Sequence, residues 1–311
     1  MKGPFALLSG HEQVVYGSDA PSGLRCIIAI HSTALGPAVG GTRFLPYESE
    51  EAALIDVLRL SKAMTYKAAC AGLSLGGGKA VIVGDPHTDK SEAVLRAYGR
   101  VVASLGGRYV TACDVGTYPA DMEVVARECR WVTGMDPVHG GSGDSGVTTA
   151  YGVFLGLQAV AEHLWGEPSL VGRHVAIQGV GKVGGRLAEL VAEAGGKLTV
   201  SDVDEQAVDR YAPRLGAAVC GPDEIYDVDA DVFSPNALGA VLNEQTIPRL
   251  HVAAVCGGAN NQLETPQDAA RLHERGILYA PDFVVNVGGL IQVADELYPD
   301  GYSPARTRRR A

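Results

Sequence analysis

The feature that most constrains this chain is a glycine loop that follows a short apolar segment at residues 175–178. The loop reads Gly179-Val180-Gly181-Lys182-Val183-Gly184, the pattern GxGxxG placed directly after a predicted strand. In this setting the first glycine permits a tight turn, the second lets the backbone approach a pyrophosphate, and the third lets a helix pack on the strand. The N–H groups that begin the following helix are donors for phosphate. The loop therefore predicts a domain that binds a dinucleotide.

The acidic residue Asp202 indicates which dinucleotide this loop binds. It follows a second predicted strand at residues 198–201 and lies 18 residues beyond Gly184. A carboxylate at this place accepts hydrogen bonds from a ribose 2′-hydroxyl and repels a 2′-phosphate. Asp202 therefore predicts NAD rather than NADP as the cofactor.

The order of the predicted elements divides the chain into two parts. Its 311 residues are enough for two domains, and strands alternate with helices on both sides of a glycine-rich segment at residues 139–145. Such alternation is typical of an α/β fold with a doubly wound parallel sheet. We expect one domain at residues 1–138, a second at residues 139–297, and an Arg-rich, disordered tail at residues 298–311.

Charge and hydropathy exclude several classes of protein. The chain has 36 acidic and 26 basic residues, and its net charge of −10 argues against binding to nucleic acid. Its longest uncharged segments, 26–42 and 145–161, are 17 residues long and interrupted by Gly, Ser and Thr, so neither predicts a membrane span. No secretory signal is recognisable, and the six cysteines are too scattered for a disulfide framework. These features predict a cytoplasmic protein with reduced thiols.

A second glycine cluster, at residues 76–78, precedes Lys79, and Lys67 lies twelve residues upstream of that lysine. The cluster is not a phosphate-binding P-loop, because the GxxxxGK[ST] spacing is absent and Ala80 stands where a hydroxyl residue would bind magnesium. A buried lysine beside a second cation gives up its proton more readily and is then a usable base. Two solvated lysines, one on a helix and one in a loop, are the alternative that these residues leave open.

A segment similar to the nucleophile segment of serine proteases, Gly143-Asp144-Ser145-Gly146, raises a hydrolase as a second class of function. Such proteases are all-β proteins, whereas this chain alternates strands and helices, and none of its eight histidines has a distinctive setting. The histidines also lack HExxH or another metal-ligand spacing. We therefore expect neither a serine hydrolase nor a metal site.

A series of ordered motifs resembles the glutamate, leucine, phenylalanine and valine dehydrogenase family, and within it most closely the valine and leucine dehydrogenases of the branched-chain group. The resemblance covers residues 11–297. The matching segments are residues 40–43, 64–67, 76–82, 111–117, 150–153, 179–184, 258–262, 279–282 and 286–297.

This resemblance implies a fold and a reaction. The fold would be an N-terminal α/β substrate domain followed by a C-terminal Rossmann domain with a doubly wound parallel sheet, with the active site in the cleft between the domains. The reaction would be the reversible, NAD-dependent oxidation of an L-amino acid to a 2-oxo acid and ammonia. The resemblance also implies a homo-oligomer.

Carried over position by position, the resemblance implies roles for individual residues. Lys79 would be the general base that activates the attacking water, and Asp114 would move protons for the amine and the carbinolamine. Lys67 would bind the substrate carboxylate. Further substrate contacts are implied for Gly40, Gly41, Met64 and Asn260. Cofactor contacts, besides those of the glycine loop and Asp202, are implied for Thr149, Asn236, Asn260 and Asn286.

The walls of the side-chain pocket, by the same resemblance, are Val39, Ala112, Leu290 and Val293. These walls are apolar and uncharged, and Leu290 is bulky for a pocket that holds an aromatic ring. They predict a branched-chain aliphatic substrate such as valine, leucine or isoleucine. One methylene in such a pocket changes binding by only about 1–3 kcal/mol, so neighbouring substrates should overlap.

The end of the chain leaves two alternatives open. The family continues for several tens of residues beyond the position of Leu297, whereas residues 298–311 are Pro- and Gly-containing and then Arg-rich. A shortened C-terminus would give a weakly active or a non-catalytic NAD-binding relative. The other alternative is an aromatic amino acid dehydrogenase that acts on phenylalanine or tryptophan.

Overall fold

The computed structural model of the chain describes Phe5, Leu7, Leu8 and residues 10–311. The strands are β1 (Gln13–Asp19), β2 (Leu24–Ser32), β3 (Ala38–Leu45), β4 (Gly76–Val83), β5 (Tyr109–Cys113), β6 (His174–Gln178), β7 (Lys197–Ser201), β8 (Ala218–Val219), β9 (Val232–Pro235), β10 (Ala254–Val255) and β11 (Leu278–Tyr279). The helices are α1 (Glu50–Cys70), α2 (Glu92–Ser104), α3 (Pro119–Ala126), α4 (Gly146–Trp165), α5 (Gly184–Glu193), α6 (Glu205–Leu215), α7 (Gln267–Glu274), α8 (Asp282–Val285), α9 (Gly288–Asp295) and α10 (Pro304–Arg310).

These elements form two compact units. The first unit comprises the described residues up to Ser145 together with Leu290–Arg310, and the second comprises Gly146–Gly289 and Ala311. The division therefore falls seven residues beyond the expected boundary at Val138, and the last part of the chain belongs to the first unit. The boundary lies later than expected because residues 133–142 form hydrogen bonds with β5 and with Glu296, both in the first unit.

The first unit is built on a mixed five-stranded sheet in the order β1-β2-β4-β3-β5. Strand β2 runs antiparallel to β1 and β4, whereas β3 runs parallel to β4 and β5. Because side chains alternate along a strand, Ile27 and Ala29 of β2 pack in one apolar cluster with α1. Ile28 and Ile30 pack in another with α2 and α3. The result is an α/β sandwich in which both faces of the sheet are covered.

The glycines of β4 explain how closely α1 lies on this sheet. A Cβ atom on Gly77 would lie 2.2 Å from the backbone nitrogen of Thr65 in α1, and one on Gly78 would lie 2.7 Å from the ring of Tyr109. A Cβ atom on Gly40 would lie 1.8 Å from the carbonyl oxygen of Gly78. The glycine cluster is therefore the start of a strand against which a helix packs.

The second unit contains a six-stranded sheet in the order β11-β10-β9-β6-β7-β8, and all its strands are parallel. Val175 and Ile177 of β6 pack with α4 and α5 on one face, whereas Ala176 packs with Phe233 and Leu272 on the other. Numbered along the chain within this unit, the strand order is 3-2-1-4-5-6, which is that of the Rossmann fold. The predicted α/β class with a doubly wound C-terminal sheet is confirmed.

The C-terminal segment, residues 298–310, is folded rather than disordered as its composition suggested. The carboxylate of Asp295, which is only 1% exposed, accepts hydrogen bonds from Ser303 N–H at 2.5 Å and from Arg306 Nη2 at 2.9 Å. The Arg306 guanidinium also lies 4.5 Å from the centre of the Tyr298 ring. A charge-rich composition predicts disorder only where the charges have no partner, and here a buried aspartate supplies one.

Candidate functional site

The centre of the candidate site in the first unit is the ion pair between Lys79 and Asp114. Lys79 lies within β4 and is 5% exposed, whereas Asp114 directly follows β5. Oxygen Oδ2 of Asp114 pairs with Lys79 Nζ and also accepts a hydrogen bond from Arg43 Nε at 3.3 Å. Burial raises the pKa of Asp114, but the charges of Lys79 and Arg43 lower it by more, so the pKa lies well below its usual range. Asp114 is therefore a carboxylate at neutral pH.

The loop that carries Asp114 is held by hydrogen bonds to neighbouring strands and helices. The N–H of Asp114 donates to Thr117 Oγ1 at 2.9 Å, and that hydroxyl donates to the carbonyl of Thr42 at 2.8 Å. Lys90 Nζ donates to the carbonyl of Gly116 at 3.1 Å. Gly116 has a φ of +77°, and a Cβ atom there would lie 2.1 Å from the carbonyl oxygen of Phe44. Only glycine fits this turn, which fixes the direction of the carboxylate.

Of the residues predicted to contact the substrate, Lys67, Met64, Gly40 and Gly41 lie in the same unit, whereas Asn260 lies in the second. Lys67, only 7% exposed, is in the last turn of α1, and Met64 is one turn earlier on this helix. Lys67 and Lys79 each lie two residues beyond the close contact between α1 and β4 at Thr65 and Gly77. Both lysines therefore follow, at the same distance in sequence, the point where α1 and β4 are in close contact.

The two glycines of β3 provide backbone beside Asp114. A Cβ atom on Gly41 would lie 2.5 Å from the carbonyl oxygen of Cys113 and 2.9 Å from the Cβ of Asp114. The carbonyl oxygen of Gly40 accepts a hydrogen bond from the Tyr109 hydroxyl at 2.6 Å. The absence of side chains at Gly40 and Gly41 lets the backbone of the neighbouring strands β4 and β5 approach β3 closely.

The four predicted pocket residues are all buried in the first unit. Val39 of β3 pairs in register with Val110 of β5, and Gly41 pairs with Ala112, so Val39 and Ala112 point to the same face of the sheet. Leu290 and Val293 are three residues apart in α9 and therefore share a face of that helix.

Two side chains that the sequence analysis did not identify hold α9 in the first unit. Gln292 Nε2 donates to the carbonyl of Ser142 at 2.8 Å. Both carboxylate oxygens of Glu296 lie 3.0 Å from the N–H of Gly134, and its Oε1 accepts from the N–H of Ser142 at 2.9 Å. Burial raises the pKa of Glu296, although hydrogen bonds from Ser142 and Gly134 lower it. These partners are separated from Glu296 by 154 and 162 residues, and no local pattern marks such a contact.

The glycine loop of the second unit has the geometry of a pyrophosphate cradle. Gly179 has a φ of +88°, and a Cβ atom on Gly184 would lie 1.8 Å from the carbonyl oxygen of Gly179. At Gly181, by contrast, a Cβ atom would meet none of the described atoms within 4 Å. The first and third glycines are therefore required by the fold, and the second leaves space for a ligand to approach the backbone. Helix α5 begins at Gly184, directly after this loop, and the N–H groups at the start of a helix are donors for phosphate.

Asp202 lies at the end of β7, beside this loop. Its Oδ2 accepts the N–H of Val180 at 2.7 Å, and its Oδ1 accepts the N–H of Asp204 at 3.0 Å. Each carboxylate oxygen can accept a second hydrogen bond, so Asp202 can still bind hydroxyl groups of a ribose.

Asn236 follows β9, the strand next to β6 at which the strand order reverses. Its amide Nδ2 donates to the carbonyl and the hydroxyl of Ser234, both at 2.9 Å. Its Oδ1 accepts the N–H of Gly258 at 2.8 Å. Ligands of doubly wound sheets bind at this reversal, at the carboxyl ends of the strands. Asn236 therefore supports the floor of the predicted nucleotide site, with both ends of its amide bonded within the protein.

Asn286 and Asn260 form a second amide pair in this unit. Nδ2 of Asn286 donates to Asn260 Oδ1 at 3.0 Å and to the carbonyl of Gly258 at 3.1 Å. The Oδ1 of Asn286 is buried and accepts no hydrogen bond from the residues that the structure describes. A buried acceptor of this kind fits the carboxamide N–H groups of a nicotinamide. Thr149 lies in the first turn of α4. A Cβ atom on Gly288 would lie 3.1 Å from the backbone nitrogen of Thr149.

The residues of the second unit thus fit a nicotinamide dinucleotide, with a cradle for the pyrophosphate, a carboxylate for the ribose and a buried amide acceptor. Within the described ranges, no group of three or more His, Cys, Asp or Glu side chains is arranged to hold a metal ion. No helix formed by these residues has the length and apolar character needed to cross a membrane.

Comparison with known proteins identifies the family. Residues 11–131 match the Glu/Leu/Phe/Val dehydrogenase dimerisation domain, and residues 140–210 and 202–300 match the glutamate/leucine/phenylalanine/valine dehydrogenase domain. The chain is 59% identical over 291 residues to a valine dehydrogenase of Streptomyces virginiae, a match that covers 93% of this chain and 81% of that protein. It is 51% identical over 300 residues to a leucine dehydrogenase of Geobacillus stearothermophilus, with 96% and 81% covered.

A solved structure agrees with these matches. The crystal structure of an L-tryptophan dehydrogenase from Nostoc punctiforme superposes with a TM-score of 0.76 at 45% identity, and the match covers 97% of this chain and 86% of that one. The family models together match most of the chain, and their boundary falls close to the division between the two units. This chain therefore belongs to the glutamate/leucine/phenylalanine/valine dehydrogenase family and is an amino acid dehydrogenase, an oxidoreductase that uses a nicotinamide cofactor.

Proposed function

We propose that this enzyme catalyses the reversible, NAD-dependent oxidative deamination of a branched-chain aliphatic L-amino acid, valine, leucine or isoleucine, to the 2-oxo acid and ammonia. The observation that carries this proposal is the buried Lys79–Asp114 pair, which lies in the same unit as four buried, uncharged pocket residues. The names of the valine and leucine dehydrogenases to which the chain is similar support the same substrate class.

The acid–base chemistry is assigned to the first unit. The ammonium group of Lys67 pairs with the substrate carboxylate, assisted by the backbone at Gly40 and Gly41 and by Met64. When bound, the cofactor would supply the acceptor for a hydride, a proton with two electrons, from the substrate α-carbon. Lys79 then accepts a proton from the water that adds to the imine carbon, and the C–O bond of a carbinolamine forms.

Asp114 completes the reaction by moving protons at the substrate nitrogen. As a carboxylate it accepts a proton from the substrate ammonium before oxidation, and it returns a proton to the nitrogen when the C–N bond of the carbinolamine breaks. Because the pKa of Asp114 is lowered, the group is ionised when substrate binds and can accept the ammonium proton. Lys79, after passing its first proton to solvent, accepts the proton of the carbinolamine hydroxyl as the C=O bond forms. Ammonia and the 2-oxo acid are the products.

The preference for NAD is assigned to Asp202. Its carboxylate accepts hydrogen bonds from ribose hydroxyls and opposes the 2′-phosphate of NADP. The residues of the glycine loop, 179–184, hold the pyrophosphate. Thr149, Asn236, Asn260 and Asn286 are proposed to complete the nucleotide site, with the free acceptor of Asn286 facing the nicotinamide carboxamide.

The preference for aliphatic side chains is assigned to Val39, Ala112, Leu290 and Val293. An apolar wall without a charged group disfavours glutamate, and differences of one methylene change binding by only about 1–3 kcal/mol. We therefore expect overlapping activity on valine, leucine and isoleucine. We also propose a homo-oligomer, which is supported by the description of the matched N-terminal domain as a dimerisation domain.

The test is the formation of NADH by the purified protein with a panel of L-amino acids at alkaline pH, with NADP as the cofactor control. The expected result is turnover of valine, leucine and isoleucine above that of phenylalanine, tryptophan and glutamate. Turnover confined to phenylalanine or tryptophan would establish an aromatic specificity instead. Binding of NAD without turnover of any amino acid would contradict the proposed activity.

A further inference from the structure

The Lys79–Asp114 pair is one end of a longer line of buried and partly buried polar groups. Arg43 of β3 donates from Nε to Asp114 at 3.3 Å, and its Nη1 donates to the two carboxylate oxygens of Asp56 at 3.1 and 2.9 Å. The hydroxyl of Tyr47 donates to Asp56 Oδ2 at 2.6 Å. Cations and anions therefore alternate along four groups, and a neutral hydroxyl ends the line.

Each member of this line comes from a different element of the first unit. Lys79 is in β4, Arg43 in β3, Asp56 in α1 and Asp114 directly after β5, and Tyr47 lies between β3 and α1. The Arg43 side chain is 16% exposed and that of Asp56 is 25% exposed, so solvent screens their charges only in part. A planar guanidinium can bridge two carboxylates with fixed geometry, which a lysine cannot do.

Lys79 and Asp114 each accept and release a proton during the proposed reaction, so a third charge beside them affects the protonation of both. When Lys79 is neutral and ready to act as a base, Asp114 has lost one of the two cations that stabilise its ionised form. Arg43 keeps its charge throughout, because burial lowers its pKa but Asp114 and Asp56 raise it by more. Asp114 therefore still has a cation at 3.3 Å when its other partner has been neutralised.

We propose that Arg43 is a positioning residue that keeps Asp114 aimed at Lys79 and favours its ionised form before it accepts a proton and after it has returned one, and that Asp56 sets the strength of this effect by neutralising the far side of Arg43. The inference rests on the proposed function, in which Lys79 and Asp114 carry the acid–base steps. It assigns a task to Arg43 and Asp56, neither of which has to touch the substrate.

The remaining titratable neighbours do not account for this effect. Tyr109 of β5 interacts electrostatically with Asp114, but burial raises its pKa, so it stays neutral. Burial likewise raises the pKa of Tyr47, to which its bond with Asp56 also contributes. Lys67, a buried cation in α1, is assigned to the substrate carboxylate. Arg43 and Asp56 are therefore the charges whose removal should act on the pair in opposite directions.

The test compares the pH dependence of kcat/KM for the wild type, Arg43→Gln and Asp56→Asn. Loss of the Arg43 cation favours protonation of the pair, so the acid limb should move to higher pH by about one unit. Loss of the Asp56 anion leaves Arg43 uncompensated, so the acid limb should move to lower pH by about half a unit. Arg43→Lys should restore the position of the limb but not the full rate, because the charge returns without the bridge.

Two controls separate this effect from damage to the fold. The exposed Arg25, in β2 of the same unit, provides a matched variant, Arg25→Gln, whose profile should equal that of the wild type. Thermal unfolding of every variant shows whether it is folded at the pH values used. Shifts of the two variants in the same direction, or no shift in either folded variant, would overturn the inference.

A second measurement needs no turnover, so failure of the proposed activity is distinguishable from failure of this inference. The pH dependence of the acetylation of Lys79 by acetic anhydride, followed by mass spectrometry, reports when this amine becomes neutral. Its midpoint should move up in Arg43→Gln and down in Asp56→Asn. An inactive wild type with these two shifts would contradict the proposed activity and support the role of Arg43.

Discussion

The N–H of Val180 and the carboxylate of Asp202 are joined by a hydrogen bond of 2.7 Å, which ties the first turn of the glycine loop to the end of β7. The same carboxylate is the group proposed to select NAD. Charge and loop geometry are therefore coupled at this position, and substitutions of Asp202 can separate the two.

Asp202→Ala should weaken NAD binding and relax discrimination against NADP, because the variant loses both the acceptor for ribose and the anchor of Val180. Asp202→Asn should retain an acceptor for Val180 but remove the charge that opposes a 2′-phosphate. We therefore expect the ratio of kcat/KM for NAD to that for NADP to fall in both variants, with NAD affinity better preserved in Asp202→Asn. The exposed Asp209 of α6 supplies a control, Asp209→Asn, and an unchanged ratio in the Asp202 variants would assign selection to another group.

The third and second glycines of the glycine loop, Gly184 and Gly181, have different surroundings, so their substitution should fail in different ways. Gly184→Ala places a methyl group 1.8 Å from the carbonyl oxygen of Gly179, so it should lower the free energy of unfolding by about 1–3 kcal/mol. Gly181→Ala meets no described atom within 4 Å and should unfold like the wild type. It should nevertheless weaken NAD at least about tenfold, because the methyl group occupies the approach to the backbone. Calorimetric titration and thermal unfolding of both variants check this, and equal NAD affinity in Gly181→Ala and wild type would argue against the cradle.

Lys79→Ala should abolish deamination while NAD affinity stays near that of the wild type, because Lys79 belongs to the first unit and the glycine loop to the second. Loss of a general base reduces turnover by at least about a hundredfold. Steady-state kinetics and titration with NAD measure the two effects separately. Lys197→Ala, at an exposed lysine of β7, is the control for removal of a positive charge. A Lys79→Ala enzyme that no longer binds NAD would contradict this division of tasks.

Glu296→Gln should change how stability depends on pH. Folding raises the pKa of Glu296, so the folded protein binds this proton more tightly than the unfolded chain does. The free energy of unfolding of the wild type should therefore fall relative to that of the variant as the pH rises from the ordinary pKa of 4.5 through the raised pKa. Above the raised pKa the difference between the two proteins should stay constant. Urea denaturation at a series of pH values measures this difference. Glu274→Gln, at an exposed glutamate of α7, should show no such trend, and a flat difference for Glu296→Gln would contradict the effect of burial.

Local sequence patterns were sufficient for the parts of the site that are local in structure. The loop of residues 179–184 depends on a strand, a turn and a helix that follow one another, so its spacing predicted its place in the fold. The same holds for Asp202 at the end of the next strand. The roles of Lys79 and Asp114 came instead from the family resemblance, because the register of β4, β3 and β5 brings these strands together without a local signal.

The residues that sequence analysis missed depend on distant partners. Arg43 and Asp114 are 71 residues apart, and Glu296 binds backbone groups of a segment more than 150 residues earlier. A single sequence contains no pattern that reports such contacts. The C-terminal tail was misjudged for a similar reason, because its arginines are counted as free charges until the buried carboxylate of Asp295 is seen beside Arg306.

Because the first unit is assembled from two stretches of sequence, its completion during synthesis on the ribosome must wait until residues 290–310 have been made. Residues up to 145 emerge first, but the carboxylates of Asp295 and Glu296 are made only after the whole of residues 146–289. The second unit is almost continuous in sequence and can fold while the remainder is translated. The unit with the acid–base pair therefore reaches its final packing last, and nascent chains that stop before residue 290 carry a nucleotide-binding unit without a finished partner.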